Sequence, residues 1–339
     1  MKHKGIFIPL IIVGGVVALA VTVIGGLNIA KFFIYSDYYK IETPITDCPG
    51  LKDDFIPQGM SVVPSTGKYI ISGYMKDGTA SRIYVTDTTK ATHMMTLTLD
   101  GEDFKGHCGG VANDGTSLYI SDTNGDDSGV YLVSLETVLN TETSVINLES
   151  SKFYKVDGRA SFVFADNSGK SSYIYVGEFH RESNYVCNHP IETETEGTHY
   201  AVVGKYRLPS TPTPSDDAQS ETQSLIPEYF YSIRNLVQGF ALSKDGDIAL
   251  STSYGLSSSH FYVYDHENIK DSGKTIQDKP VYILENETKV IKAPAMSEDL
   301  DYNINDNKIY FTTESASDKY IFGKLFNAYQ INALDIFAD

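Results

Sequence analysis

The sequence predicts an all-β fold: a single β-propeller of five blades, its last blade closed by an N-terminal strand, preceded by one transmembrane helix. Three observations predict it. A short order of residues recurs, opening at Gln58-Gly59, His107-Cys-Gly-Gly110, Arg159, Gln238-Gly239 and Pro294-Ala-Met296. Each opening leads into an apolar strand, a turn rich in Gly, Asn or Asp, and a second strand, at intervals of roughly fifty residues and one longer gap. The composition agrees, with 24 Tyr, 16 Phe, 27 Gly and no Trp, because aromatic and β-branched side chains suit a pleated, half-buried surface. The third observation is an N-terminal apolar run unlike anything after it.

Residues 1–4 carry two lysines, and residues 5–30 carry no charge. Such a run makes about 39 Å of helix, enough to cross a hydrocarbon core of roughly 30 Å. It is too long for the apolar region of a cleavable signal peptide and is read as an uncleaved anchor. Lys2, Lys4 and the amino terminus outnumber Lys31 on the far flank, which places the N-terminus in the cytoplasm. Residues 1–34 are therefore the cytoplasmic tip and membrane anchor, and 35–339 an extracytoplasmic propeller at the cell membrane.

The tether predicts a strand near 38–43 with no local partner. Blade 1 follows with strands at 60–63, 68–74, 82–87 and 93–99, and blade 2 with 109–112, 117–122, 130–135 and 144–148. Blade 3 takes 161–165, 172–179, 199–208 and 228–233, interrupted by an insertion over 181–226 whose stretch 209–224 reads as a mobile loop. Blade 4 takes 240–243, 247–253, 260–265 and 281–285. Blade 5 offers 308–314, a short helix near 316–325 and 330–337, and is one strand short. The unclaimed N-terminal strand completes it.

A net charge of −17 argues against nucleic acid, since phosphate would crowd like charges. Cys48, Cys108 and Cys187 show no zinc-site spacing. In an exported domain they allow one disulfide and one free thiol, in any pairing.

In a propeller the first strand of each blade starts near the axis, and the second returns to the same face. Openers and enders therefore converge on one central funnel. The openers are Gln58, His107, Arg159, Gln238, and Met296 with Glu298; the enders are Tyr74, Asp122, Glu178, Tyr254 and Glu314. Gln58, Tyr74, His107, Arg159, Gln238, Tyr254 and Glu298 are the expected ligand contacts. Asp122, Glu178 and Glu314 suit a hard cation such as Ca²⁺, or another divalent metal, or an acid/base pair. The glycines beside the openers are explained by tight packing around the axis. His180, Cys187 and His189, in or near the insertion, are either a lid over the funnel or plain loop residues.

The repeated openers, the YISD and YVGEF second strands and the N-terminal anchor resemble bacterial membrane-anchored or secreted β-propellers of the broad YncE-like and SMP-30-like kind. The SMP-30-like resemblance implies a central divalent metal acting on lactones or esters, and the carboxylates match that site in type. Five-bladed glycosidases are similar in blade number and in having three central acids. Two functions are thus expected: a propeller binding a small molecule, glycan or peptide at an acidic funnel, or a metal-assisted or two-carboxylate hydrolase.

Overall fold

The computed structural model describes residues 21–23, 25, 26, 28–124, 127–167, 173–207, 223–320, 322–326 and 328–338. Five of its sheets are blades around one axis. Blade 1 runs outward through Phe55–Val63, Lys68–Met75, Arg82–Thr86 and Thr92–Leu99. Blade 2 takes Val111–Asn113, Ser117–Asn124, Asp127–Ser134 and Phe153–Lys155, and blade 3 Phe162–Ala165, Tyr173–Gly177, Ala201–Arg207 and Pro227–Ile233. Blade 4 consists of Val237–Leu242, Ile248–Thr252, Ser259–Tyr264 and Lys289–Ala293. Blade 5 consists of Ser297–Asn303, Lys308–Thr313, Gln330–Leu334 and the N-terminal strand Glu42–Asp47, which pairs antiparallel with Gln330–Leu334. The ring closes as the sequence predicts.

Alternating side chains of each strand face opposite neighbours, so the core is a set of layers between blades. In Lys68–Met75, Tyr69 and Ile71 pack with Tyr310 and Ile331 of blade 5, whereas Ile70 packs with Val111 and Ile120 of blade 2. Near the axis the backbones leave no room for a side chain. A Cβ on Gly59 would lie 2.6 Å from the Val111 nitrogen, on Gly110 2.5 Å from that of Val163, and on Gly239 2.5 Å from that of Leu300. The inner strands are entered through left-handed residues at Asp54, Cys108, Gly158, Leu236 and Met296. The glycines of the HCGG opener thus serve packing.

The elements differ from expectation in three ways. First, residues 36–41 are helical: Ser36–Ile41 continues the preceding helix through Tyr35 N–H to Lys31 O (2.9 Å) and Tyr39 N–H to Tyr35 O (3.0 Å), and the strand begins at Glu42. Tyr38 is buried with its ring 6.4 Å from Phe311, a contact that overrides the β preference of a Tyr-rich stretch. Second, two segments expected to close their own blades cross to the preceding one. Val145–Leu148 pairs parallel with the outer strand of blade 1, and Lys279–Ile283 pairs parallel with that of blade 3. Gln223–Ser224 does the same on blade 2. Third, the helix expected near 316–325 is reduced to the 3₁₀ turns Glu314–Ala316 and Gly323–Phe326. All three cysteines are buried free thiols, so no disulfide forms.

Among the described residues no helix is long and apolar enough to cross a membrane. The expected span lies mostly on residues 1–20, 24 and 27, outside the described residues, as do residues 209–222 of the expected loop 209–224, whose end Gln223–Ser224 is a strand.

The inner strand of blade 5 ties the ring together. Asp301 Oδ2 accepts from Val62 N–H (2.7 Å) and Ser61 Oγ (3.0 Å) of blade 1. Asp299 Oδ2 accepts from Val111 N–H of blade 2 (3.0 Å). Asn167 of blade 3 donates to Tyr302 O (2.8 Å), and Ser251 of blade 4 to Glu298 O (2.8 Å). Burial pushes Asp301 up to about 7, against the hydrogen bonds that favour its ionised form, and pushes Asp299 well above the carboxylate range.

Asp301→Ala should cost about 3 kcal/mol or more, because the Val62 amide and Ser61 hydroxyl would be left buried without an acceptor. Asp301→Asn, which keeps the shape and one oxygen, should cost less than half of that. Guanidinium unfolding of both variants measures this, and equal losses would mean that volume, not hydrogen bonding, is what Asp301 supplies.

Candidate functional site

The mouth of the ring is built where the inner strands of blades 5 and 1 begin and their second strands end. Gln58 Nε2 donates to Glu314 Oε2 across the blade boundary (3.0 Å) and to Pro57 O (2.9 Å). Burial pushes Glu314 up to about 7. Glu298 is buried beside it, raised well above the carboxylate range by burial and then by repulsion from Glu314 and Asp299. Its Oε1 has no hydrogen-bond partner. At pH 7 Glu298 therefore holds a proton.

Blades 1 and 2 complete this wall. The Tyr74 ring lies 4.5 Å from that of His107 at 34°. Lys319 Nζ donates to the Tyr74 hydroxyl and lies 4.8 Å from its ring and 5.1 Å from that of Tyr320. Crowding by protein and the Lys319 ammonium lower His107 to about 4. The residue is exposed, and its imidazole is neutral at pH 7. Lys319 and Tyr320 escaped the sequence reading because their loop reads as a helix; their signal was position, just after the strand that ends in Glu314.

Of the expected contacts, Gln58, Tyr74, His107, Glu298 and Glu314 come together. Asp122 adjoins this group through the His107 backbone, and Glu178 and Tyr254 are engaged with other partners. Asp122 is buried and accepts backbone N–H bonds from His107 and Thr123, with burial pushing it up to about 6; it holds the loop that carries His107. Glu178 Oε1 accepts from Arg159 N–H (3.2 Å) and lies 3.5 Å from His189 Nε2, and its Oε2 accepts from Val202 N–H (3.1 Å). It pins the insertion to blade 3. Half-exposed Tyr254 lies under the Arg181 guanidinium at 3.8 Å, and Gln238 is half-buried at the start of its strand.

Asp122, Glu178 and Glu314 do not meet at one point. Among the described residues one group brings three His, Cys, Asp or Glu ligand atoms within 4.8 Å of one another: Asp247, Asp265 and His266. It lies on turns at the far face, where the Asp247 Oδ1 contact with His266 Nδ1 (2.9 Å) accounts for its closeness.

The first residues of the insertion, around Cys187 and His189, are anchored. Cys187 N–H donates to His180 Nδ1 (3.0 Å), and burial pushes the Cys187 thiol up to about 12, which makes it a poor nucleophile. Farther along, Arg234 pairs with Glu196 (2.6 Å) and Glu287 (3.3 Å), stacks on Tyr262 at 3.4 Å and donates to the Tyr264 hydroxyl (2.9 Å).

No family model matches the sequence, and no curated protein is similar to it. Solved structures share its fold loosely. A putative glucose dehydrogenase of Thermus thermophilus is 12% identical, covering 86% of this chain and 99% of that one, with a TM-score of 0.45. A Xanthomonas campestris gluconolactonase is 11% identical over 86% and 88%, at 0.38. Hydrazine synthase of Kuenenia stuttgartiensis is 11% identical over 76% of this chain, at 0.38, and the chain spans 55% of its length. Likeness of this degree carries no argument about activity.

The raised carboxyls set a pH dependence. Asp122, Glu298, Asp299, Asp301 and Glu314 hold protons in the folded state at pH values where the unfolded chain has lost them. The contribution of Asp122, Asp301 and Glu314 is therefore complete below about pH 4 and lost as pH rises through about 6 to 7, and that of Glu298 and Asp299 is lost only as pH rises through their own raised values. His107, neutral when folded, opposes this below about 6.5 but is outnumbered. The melting temperature should be higher at pH 5 than at pH 8; calorimetry showing the reverse would mean that these acids are ionised in the fold.

Proposed function

We propose that the chain is a membrane-anchored, extracytoplasmic β-propeller that binds a neutral polar ligand, a saccharide, at the mouth between blades 5, 1 and 2. The observation that carries this is the chemistry gathered there. The Tyr74–His107 pair offers flat rings. Beside it stand the Glu314 carboxyl, the Gln58 amide and the Lys319 ammonium, with a buried Glu298 oxygen still lacking a partner. Aromatic faces flanked by donors and acceptors suit a sugar ring, whose C–H face is apolar and whose edge is hydroxylated. With His107 neutral and Glu298 protonated, the mouth is close to neutral although the chain carries −17. Anchoring is supported by the apolar residues that lead into the described helix, where Ile29, Phe32, Phe33 and Ile34 are exposed.

A second reading rests on the Glu298 and Glu314 carboxyls, both raised by burial, with Glu314 raising Glu298 further. A protonated carboxyl beside one that titrates near 7 is the arrangement of a general acid with its base, and would make the site a hydrolase of the saccharide it binds.

Full-length protein in detergent, titrated with a saccharide panel by calorimetry, tests both. Binding should weaken about tenfold or more in Tyr74→Ala, a loss of about 1.4 kcal/mol. Turnover of nitrophenyl glycosides that disappears in Glu298→Gln while binding persists would select the second reading. If no saccharide binds, the first fails. Ca²⁺ in the same instrument should give no heat, since Asp122 and Glu178 are already occupied by backbone amides.

A further inference from the structure

We infer that the face of the ring that bears the mouth lies on the membrane, with apolar side chains from the loops of blades 3, 4 and 5 seated among the lipid headgroups, so that the mouth opens toward lipid. The inference rests on the anchoring proposed above and is independent of what the mouth binds.

Topology gives the helix a direction. The outer strand of blade 4 pairs antiparallel with Ser259–Tyr264, Ala293 opposite Ser259 and Lys289 opposite Val263. Ser259 follows the loop that leaves the second strand of the blade at the mouth, so Ala293 marks the mouth end of the outer strand and Lys289 the far end. The helix Ser36–Ile41 packs along this strand. At the far end Ile41 O accepts from Asp335 N–H (3.1 Å). At the mouth end the Tyr35 hydroxyl lies 3.2 Å from Ser258 Oγ, and its ring 5.9 Å from Lys292 Nζ. Followed toward the N-terminus, the helix thus leaves the propeller on the side of the mouth, and the buried Tyr38 locks it in that direction.

Exposed apolar side chains begin at this level on both the helix and the ring. On the helix they are Ile34, Phe33, Phe32 and Ile29, all within about 9 Å of Tyr35 along the axis. On the ring they are Val186 of the blade 3 loop, Leu256 of the blade 4 loop, two residues from Ser258, and Phe322 of the blade 5 loop, which are 61%, 51% and 67% exposed. Among the described residues the turns at the opposite end of the blades expose one large apolar side chain, Ile226. The matching loop of blade 1, residues 76–79, is polar, so the apolar rim stands on the helix's side of the ring. A headgroup layer is roughly 5 to 7 Å deep on each side of the hydrocarbon core, and apolar side chains clustered at the level of an anchor suit that boundary. Charge plays no part in the choice of lipid. Lys324 is paired with Asp318, and a chain of −17 gains nothing from anionic headgroups.

The chain has no tryptophan, so a single introduced one is the sole reporter. Phe33→Trp, Leu256→Trp, Phe322→Trp and Lys244→Trp, the last on an exposed turn at the far end of blade 4, are made in the full-length chain and placed in nanodiscs of phosphatidylcholine, plain or brominated high on the acyl chains. The first three should each lose about half of their emission to the brominated lipid, as side chains sunk roughly 5–10 Å into the boundary of headgroups and chains. Lys244→Trp, a blade's length away, should lose none. Leu256 and Phe322 sit on separate loops, so either reporter stands if the other disturbs its own, which circular dichroism would reveal. Quenching of Phe33→Trp with none at Leu256→Trp and Phe322→Trp sinks the docking and leaves the anchoring. Quenching of Lys244→Trp equal to that of Leu256→Trp overturns the orientation, and no quenching in any of the four sinks anchoring and docking together.

Discussion

The ring depends on one strand whose sequence does not look like a strand. Ser297–Asn303 (SEDLDYN) is acidic and rich in residues that disfavour sheets, yet six of its seven residues are buried and it receives hydrogen bonds from all four other blades. Apolar layers hold neighbouring blades together but are indifferent to sliding. The carboxylates of Asp299 and Asp301 are directional, and they fix the height at which blades 1 and 2 meet blade 5. Placing acids on the axis raises their proton affinity, and the stability of the whole ring becomes linked to proton occupancy at its centre.

The same strand connects the scaffold to the mouth. Glu298 occupies its start, one residue before Asp299, so the buried carboxyl of the site and the tie of the ring share a backbone. The left-handed residue Met296 sets the angle at which that backbone arrives. A mouth made this way is rigid by construction, and a ligand there would find Glu298, Glu314 and Gln58 already in place, with little ordering cost to oppose binding.

Much of this was legible in the sequence. The openers, the five blades and the closing of the ring by an N-terminal strand follow from periodic patterns that a single blade must satisfy. What failed has a common cause. Residues 144–148 and 281–285 alternate as strands should, but alternation does not say which sheet edge a strand joins, and both went to the preceding blade. Position in a blade likewise does not give distance from the axis. Asp122 and Glu178 end their second strands as Glu314 does, yet their carboxylates turn back onto the backbone amides of their own blades. Asp299 and Asp301 were missed because acids are read as surface, and only the assembled ring supplies the donors that let them be buried.

The strands lent by one blade to the one before it bear on how the chain is made. Blade 1 lacks its outermost strand until residues of blade 2 have left the ribosome, blade 2 waits on blade 3, and blade 3 on blade 4. The first strand to emerge, Glu42–Asp47, waits longest, because its partner Gln330–Leu334 lies at the far end of the chain. Assembly is thus staggered along synthesis, each blade unfinished until its successor arrives. The order of the gene is in this sense the order of a zipper whose first tooth is also its last.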